Sequence, residues 1–360
     1  MTGARRRALI VYSRVGGGHL SAARALADAF EATGRVRTHL TDVYLDCGRF
    51  PVTRFPWAYA QLARHHPRLW ALLFHSSNHR LDATPILAPF LEHGLQTCIK
   101  AQKPDVVVSV LPMVNGLVAK VAPRSEVVLT DWYGVHRTWV GRGVNHYTAP
   151  TDSAKQDMIR YGAPPDAVDV IGIPVRTAFA TSDAPRQQHD RFTILAMVGA
   201  EGSPRTLRNI EHLLQLRIDA DAIVVCGRNE ALRRRVHALP ARVTVRALGF
   251  VDNIPELMRA ADVLVTKAGG LTLAEAFCCG VPVVVSDVLP GQETGNLEYA
   301  LGAGAVAYAP TPAHLQRLIS DLYTDRQQRE QLAARARTVA RPDAAAQVVA
   351  NVLQRLDSDG

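Results

Sequence analysis

Short apolar runs alternate with longer segments of helical periodicity along the whole chain. Continuous runs of Val, Ile and Leu are typical of parallel strands that are buried on both faces and joined by crossover helices. The pattern therefore predicts an α/β protein with two Rossmann-like, doubly wound domains. The runs are ALIVYS, DVVVSVLP, EVVLTD and VDVIGIP in the first half, and FTILAMVG, DAIVVCG, VTVRALGF, DVLVTKAG and PVVVSD in the second.

The apolar pattern stops between Thr177 and Arg191, where polar residues and one proline predominate. Such a segment is typical of a linker between domains. We therefore expect an N-terminal domain over residues 1–178 and a C-terminal domain over residues 179–338. Residues 339–360 form a predicted closing helix, which can pack back onto the N-terminal domain.

A glycine turn follows the first apolar run, which ends near Tyr12 and continues through Gly16–Gly18 into an amphipathic segment. Glycine turns at the carboxyl ends of parallel strands bind ligands, because the backbone can approach closely and the helix start presents free N–H groups. His19 stands at this helix start, where the positive helix end favours an uncharged imidazole. The ring is either a general base for a hydroxyl group or an exposed or capping histidine.

Two better-known glycine motifs fit this turn poorly. Ser21 stands where a dinucleotide fingerprint needs its third glycine, and the turn lacks the GK[ST] ending of a P-loop. Asp42, at the end of a possible second strand, can mimic a ribose-binding acid. A nicotinamide site therefore stays open as an alternative.

The second half repeats the arrangement of strand, glycine turn and helix. The run DVLVTK leads into Gly269–Thr272, a helix that carries Glu275 follows, and the sequence PGQE comes after the next strand. The amides of this turn can bind phosphate oxygens without a metal, and Glu275 can accept hydrogen bonds from ribose hydroxyls. For Glu275 the alternative is a solvated residue near a positive helix end. For Gln292 and Glu293 the alternatives are sugar binding and helix capping.

Composition limits the class of protein. The 360 residues are 48% hydrophobic, and the net charge of +8 favours polyanionic partners. Nucleic acid is not expected, because the chain has no zinc pattern or RNP signature and no dense basic tract beyond Arg5–Arg7 and Arg233–Arg235. No apolar run reaches the roughly 20 residues of a membrane span, so we expect a cytoplasmic protein. The five cysteines, odd in number and without ligand spacing, are interpreted as reduced packing residues.

Aromatic and basic residues concentrate between Phe50 and Phe90. Amphipathic helices of this composition suit a surface that enters the headgroup layer of an anionic membrane. The alternative is a pair of helices packed on the first domain with solvated arginines. His75 and His79 lie four residues apart, but no carboxylate completes a zinc motif there.

The segment TDWYGVHRTWV follows a buried strand, and its aromatic and ionisable residues are expected at the mouth of the cleft. There they can orient an acceptor or support His19, although Asp131 can also simply cap a loop. The predicted acceptor-binding residues are Trp57, Trp70, Asp131, His136 and Trp139.

Taken together and in order, VGGGHLSAA, TDWYGVHRTWV, VIGIPVR, VVCGRN, GFVDNIPELMRAADVLVTKAGGLTLAEA and PGQETGN resemble the monogalactosyl- and processive glucosyl-diacylglycerol synthase family of glycosyltransferases. The resemblance extends roughly over Ala8–Ala340, and an enzyme that adds N-acetylglucosamine to a lipid-linked peptidoglycan precursor is a more distant relative. It implies a GT-B architecture, with two Rossmann-like domains facing across a cleft. The second domain would bind the nucleotide sugar, and the first the lipid acceptor.

The resemblance further implies inverting transfer of galactose or glucose from a UDP-sugar to diacylglycerol or a related lipid, without a cofactor or essential metal. The base of the family corresponds to His19. The loop with Glu201 and Pro204 departs from the more glycine-rich family pattern. The implied nucleotide-sugar residues, including those of the strand-end glycine loops, are Gly18, Gly199, Gly202, Gly227, Arg228, Asn229, Phe250, Val251, Gly269, Gly270, Leu271, Thr272, Glu275, Gln292, Glu293 and Asn296.

The expected partners are a UDP-hexose, a lipid acceptor and an anionic membrane surface on the inner face of the cell membrane. Two other functions stay open. The chain can be a GT-B transferase for another hydrophobic acceptor, such as a polyprenyl-linked sugar or a secondary-metabolite aglycone. It can also be a regulator that binds a nucleotide sugar without turnover.

Overall fold

A computed structural model describes residues 5–15, 17–78, 82–180, 191–197 and 204–358. The chain folds into two compact units, a first unit of Met1–Thr177 with Arg341–Gly360 and a second unit of Ala178–Ala340. The sequence placed the boundaries after residues 178 and 338. The last helix therefore belongs to the first unit, although it follows the second in the chain.

The first unit is a parallel six-stranded sheet with helices on its faces. Its strands are β1 (Arg6–Tyr12), β2 (Val36–Asp42), β3 (Val106–Ser109), β4 (Ser125–Val128), β5 (His146–Ala149) and β6 (Val168–Val170). The spatial order is β2-β1-β3-β4-β5-β6. Its helices in chain order are α1 (Gly18–Ala32), α2 (Val43–Asp46), α3 (Phe55–His65), α4 (Pro67–Ser77), α5 (Thr84–Gln102), α6 (Asn115–Val121) and α7 (Asp152–Arg160).

The second unit has the same architecture and is entered through α8 (Thr177–Ala180). Its strands are β7 (Phe192–Met197), β8 (Ala220–Val225), β9 (Thr244–Leu248), β10 (Val263–Lys267), β11 (Val283–Asp287) and β12 (Val306–Tyr308), in the spatial order β12-β11-β10-β7-β8-β9. Its helices are α9 (Pro204–Leu214), α10 (Glu230–His237), α11 (Ile254–Ala260), α12 (Gly270–Cys279), α13 (Thr294–Gly302), α14 (Pro312–Thr324) and α15 (Arg326–Val339).

Strand burial agrees with the continuous apolar runs of the sequence. All four residues of β3 are buried, as are the first four of β10, because helices cover both faces of each sheet. No disulfide joins the five cysteines, which all lie within the described residues.

The closing helix α16 (Ala344–Ser358) packs against α1 in the first unit. Its apolar face is buried, and Arg355 anchors its end. The Arg355 guanidinium donates to Glu126 Oε2 at 2.8 Å and to Asp169 Oδ2 at 3.0 Å. Glu126 is 2% exposed, so this is a buried ion pair and not a surface contact.

Each sheet has one point at which the order of strands reverses. In the first unit this switch point lies between β1 and β3, and in the second between β7 and β10. Ligands of open α/β sheets bind outside the carboxyl ends of the strands at such points. The turn after β1 leads to His19, and the turn after β10 leads to Gly269, so both predicted sites lie at switch points.

Candidate active site

Gly17 shapes the turn that presents His19. It is the N-cap of α1 and has φ +77°, a left-handed conformation that favours glycine, and no atom lies within 4 Å of the position of a Cβ. The helix begins at Gly18, which places His19 in its first turn, where backbone N–H groups have no partner within the helix.

The His19 ring lies near the carboxyl ends of the two strands of the first switch point. It stands after β1, contacts the backbone of Val110 after β3, and has its centroid 6.3 Å from the Trp139 ring. Burial lowers the pKa of His19 to about 4, and the Val110 backbone opposes this only in part. The Nδ1 atom is buried without a hydrogen-bond partner among the described residues. The imidazole is therefore uncharged at neutral pH.

Beside this ring lies a hydrogen-bonded group formed by Trp139, Asp131 and Asn115, which we call the wall. Trp139 is 1% exposed, its Nε1 donates to Asp131 Oδ2 at 2.9 Å, and its carbonyl accepts from Asn115 Nδ2 at 2.9 Å. The sequence predicted Trp139 at the cleft mouth, whereas the structure places it in the core beside His19. Met113, with φ +74° and its N–H bonded to Thr138 O, is a strained residue in the same wall, and no sequence pattern indicated it.

His136 joins this wall to the preceding helix. Its Nδ1 lies 2.8 Å from Thr138 Oγ1, and its Nε2 lies 3.1 Å from both Ser77 Oγ and the Phe74 carbonyl oxygen. Burial lowers the pKa of His136 to about 4. Since both ring nitrogens have protein partners, His136 ties the end of α4 to the loop behind His19. Its predicted contact with the acceptor stays a prediction.

The α3–α4 hairpin (Phe55–Ser77) contains no buried residue in either helix. Trp57 is 63% exposed and Leu72 is 65% exposed, while Trp70 packs edge-on against Tyr59 at 4.9 Å. The Trp70 Nε1 atom is buried without a hydrogen-bond partner among the described residues. Arg64 and Arg68 of the hairpin are also exposed, as is Arg54 just before it. His79 and Arg80 lie outside the described residues.

In the second unit, Gly269 is the N-cap of α12 and carries no side-chain cap. Asn296 is 1% exposed, and its Nδ2 donates to Ala268 O at 3.2 Å, which fixes the backbone of this turn. Gly270, Leu271 and Glu275 are buried, and Thr272 is partly exposed. The turn thus presents the uncapped start of a helix, with Glu275 one turn further along.

The PGQE turn meets the end of β10. Glu293 is 4% exposed, its Oε1 lies 2.6 Å from Lys267 Nζ, and its Oε2 accepts from the Leu289 N–H at 2.9 Å. Both carboxylate oxygens therefore contact the protein, whereas the neighbouring Gln292 is partly exposed. The sequence prediction overlooked Lys267. Its position as the last residue of a strand with a glycine turn after it is a signal that could have indicated it.

A second pair of loops in this unit follows β8 and β9. The Arg228 guanidinium lies 5.4 Å from the centroid of the Phe250 ring, and Phe250 is 56% exposed. Gly227 has φ +57°, and Asn229 Oδ1 accepts from Leu232 N and caps α10. Val251 is partly buried beside them, while Gly199, Gly202 and Glu201 of the predicted pocket lie outside the described residues.

The structure thus brings the predicted residues into separate groups. His19, Asp131 and Trp139 lie together in the first unit, and Gly269, Glu293 and Asn296 lie together in the second. Within the described part of the chain, no three His, Cys, Asp or Glu side chains form a group that can hold a metal ion. Across the same residues, no helix is long and apolar enough to cross a membrane.

Two family models match the chain, one in each half. Residues 19–175 match the family described as monogalactosyldiacylglycerol (MGDG) synthase, and residues 194–339 match glycosyl transferases group 1. The chain is 28% identical to monogalactosyldiacylglycerol synthase 2, chloroplastic, of Arabidopsis thaliana, over 96% of this chain and 80% of that protein. It is 29% identical to a probable synthase of this kind, also chloroplastic, from Oryza sativa subsp. japonica, over 98% and 81%.

Solved structures of similar fold cover nearly the whole chain. MurG of Acinetobacter baumannii matches with a TM-score of 0.64 at 19% identity, over 97% of this chain and 99% of that one. Anabaena Alr3699/HepE in complex with UDP matches with a TM-score of 0.58 at 16% identity, over 97% and 100%. These comparisons confirm the predicted fold class, the resemblance and the predicted class of enzyme, a hexosyltransferase.

Proposed function

Since residues 19–175 match the monogalactosyldiacylglycerol synthase family, we propose that the chain belongs to this family of glycosyltransferases and transfers a hexose from a UDP-sugar to the hydroxyl of diacylglycerol. The observation that carries the proposal is the uncharged imidazole of His19 at a strand switch point, in the half that matches the synthase family over residues 19–175. The names of the relatives favour galactose as the sugar. The solved UDP complex of similar fold favours UDP as its carrier.

In the proposed reaction, His19 acts as general base. The acceptor hydroxyl attacks the anomeric carbon, its proton passes to the imidazole, and the bond between that carbon and the diphosphate oxygen breaks on the opposite face. The electron pair of the broken bond leaves with UDP, so the configuration at the carbon inverts. General-base catalysis of this kind contributes about 10²- to 10⁴-fold to a rate.

The second unit would bind the donor through its strand-end loops. The Phe250 ring and the Arg228 guanidinium offer a face for a base, and the amides after Gly269 can bind the diphosphate. Glu275 would accept hydrogen bonds from the ribose. Gln292, which is partly exposed, and Glu293 would contact the sugar.

The acceptor is a membrane lipid, and the α3–α4 hairpin supplies a surface for a bilayer. Burial of a large apolar side chain stabilises an interface by about 1.5–3 kcal/mol, and arginines on the same face attract anionic headgroups. We therefore propose peripheral binding through this hairpin. The named relatives are chloroplastic, so the inner face of a cell membrane stays a prediction for this chain.

Incubation of the purified protein with diacylglycerol vesicles and each UDP-hexose, followed by lipid mass spectrometry, tests the proposal. We expect a monohexosyl lipid from UDP-galactose, with inverted anomeric configuration by NMR and an unchanged rate in EDTA. Transfer only to a polyprenyl-linked or aglycone acceptor would favour the alternative transferase. UDP binding without any transfer would favour the regulator.

A further inference from the structure

Lys267 is a cation at the second switch point for which the predicted site has no role. It is the last residue of β10, and its Nζ lies 2.6 Å from Oε1 of Glu293. The Glu293 side chain is 6% exposed, whereas the Lys267 side chain is 29% exposed. One member of the pair is therefore buried and fixed, and the other reaches toward solvent.

The pair lies beside Gly269 at the start of α12. A methyl group placed on Gly269 would lie 3.8 Å from Lys267 Cε, 3.8 Å from Glu293 Oε1 and 3.9 Å from Thr272 Oγ1. The lysine side chain, a carboxylate and a hydroxyl thus surround the first backbone groups of the helix. An anion at the helix start would therefore lie within reach of the Lys267 ammonium group.

The choice of lysine at this position is unusual for the chain. Lys267 is the only lysine between Ala178 and Ala340, a stretch in which arginine and histidine supply every other basic side chain. Lysine carries a compact, strongly hydrated point charge, whereas arginine presents a wider planar group with five donors. A compact cation fits beside Gly269, where Lys267 Cε and Glu293 Oε1 both lie 3.8 Å from the position of a Cβ.

We propose that Lys267 binds the diphosphate of the donor and stabilises the charge that develops on the leaving UDP. When the sugar–oxygen bond breaks, its electron pair stays on a phosphate oxygen, and the protonated Lys267 faces that charge. Glu293 is then a positioning residue that holds the ammonium group, through its own bond to the Leu289 N–H. This inference rests on the proposed function, because it takes the donor to be a nucleoside diphosphate sugar.

Calorimetric titration with UDP and with uridine tests the assignment. A hydrogen bond to a charged group contributes about 1.5–3 kcal/mol, which corresponds to roughly 10- to 150-fold in affinity. We expect Lys267→Met to weaken UDP binding by that factor and to change uridine binding less than about twofold. Lys267→Arg should recover part of the loss, and Lys100→Met, an exposed change in the first unit, should have no effect.

Lys267→Met leaves Glu293 buried without its cation, so the single variant can lose stability. The double variant Lys267→Met with Glu293→Gln removes the buried charge and should unfold close to the wild-type temperature. We expect it to bind UDP as weakly as the single variant does. Wild-type affinity for UDP in the folded double variant would overturn the assignment.

Lysine labelling of the wild-type protein gives a readout that does not depend on any variant. Reductive methylation followed by peptide mass spectrometry reports the labelling rate of each amine, and UDP should slow labelling of Lys267 selectively. Uridine should not slow it. The internal controls, which lie in the first unit, are Lys100, Lys103, Lys120 and Lys155.

The outcomes separate this inference from the proposed function. If UDP binds equally to wild type and Lys267→Met and leaves Lys267 labelling unchanged, the inference is wrong while the transferase proposal stands. If the wild-type protein binds no UDP at all, the proposed donor class is wrong and the inference is overturned with it.

Discussion

The two switch points of the molecule share a backbone plan and differ in chemistry. In each, a buried parallel strand ends, a glycine turn follows, and a helix begins. In the first unit the turn leads to an imidazole beside the buried Trp139, and burial lowers the pKa of His19. In the second it leads to the ion pair of Lys267 and Glu293 and to a helix start without a side-chain cap.

The difference corresponds to the two requirements of the proposed reaction, which are removal of a proton from the acceptor and stabilisation of the leaving diphosphate. A proton acceptor must be uncharged before the reaction, and an apolar, aromatic environment keeps an imidazole in that state. A leaving diphosphate gains negative charge, and a fixed cation with backbone N–H groups stabilises it. The two sites thus share one architecture. The few side chains that follow each strand provide an uncharged base in the first site and a cation in the second.

The largest expected effect comes from removal of the imidazole. His19→Ala should lower the rate of transfer about 10²- to 10⁴-fold, because a general base acts on the barrier of the chemical step. UDP affinity should stay within a few-fold of wild type, since the donor site lies in the other unit. Steady-state kinetics and calorimetry measure the two quantities separately. His93→Ala, an exposed histidine on α5, is the control, and equal rates for His19→Ala and wild type would end the catalytic assignment.

The next-largest expected effect is a loss of folding stability in the first unit but not in the second. Arg355→Met removes one of the two arginines that pair with the buried Glu126 and leaves Arg124 Nε 3.6 Å from its Oε1. Loss of a hydrogen bond to a charged group costs about 1.5–3 kcal/mol. We expect the first unit to unfold at lower urea concentration while the second keeps its transition, as followed by hydrogen exchange of each unit. Arg326→Met removes an exposed i,i+4 pair with Glu330 and should change little. Equal loss in both units would contradict the assignment of α16 to the first unit alone.

A smaller effect concerns the α3–α4 hairpin, which has no counterpart among the described residues of the second unit. Trp57→Ser with Leu72→Ser removes two exposed apolar side chains and should weaken binding to anionic vesicles by roughly 10- to 100-fold in a flotation assay. The unfolding temperature should not change, because neither residue is buried. Leu301→Ser, 41% exposed on α13, is the control in the second unit, and unchanged flotation would remove the hairpin from the membrane surface.

The smallest expected change is in the pH dependence of the rate. A base whose pKa is lowered to about 4 stays uncharged from pH 8 to pH 5, so kcat/KM should remain level there and fall only toward pH 4. An ordinary histidine would be only about 3% uncharged at pH 5. A fall of kcat/KM through pH 6.5 would therefore contradict the lowered pKa of His19.

Folding stability must be followed alongside this profile. The pKa values of His19 and His136 are both lowered in the folded protein, so the unfolded chain binds more protons between their folded and ordinary values. Their contribution to stability is fully present above about pH 6.5 and is lost as the pH falls toward 4. Circular dichroism at each pH gives the folded fraction by which the rates are corrected.

Much of the fold could be predicted from apolar periodicity. The predicted runs include eight-residue stretches around the buried strands β3 and β10, because a strand covered on both faces needs an unbroken apolar sequence. Two strands were missed. β5 has the mixed sequence HYTA, and β12 has only three residues at the sheet edge, so their pairing depends on neighbouring strands and not on their own composition.

The candidate site was predicted less completely than the fold. Glycine turns after strands marked His19 and Gly269 because both features are local in the sequence. The burial of Trp139, the contact of His136 with Ser77 and the pairing of Lys267 with Glu293 join distant parts of the chain. No local sequence pattern indicates these contacts. The acceptor role of Trp139 and the sugar contact of Glu293 were therefore predicted without knowledge of the residues that these side chains contact.

The sequence by itself determined the two parallel sheets, the glycine turns and the family resemblance, since each follows from residue types at short spacing. Only the tertiary structure decided which charges are buried and which are paired. The pKa of His19 is lowered because residues after β3 and in the Asp131–Trp139 loop close around it. Desolvation depends on every atom near a group, and the chain brings those atoms together only when it folds.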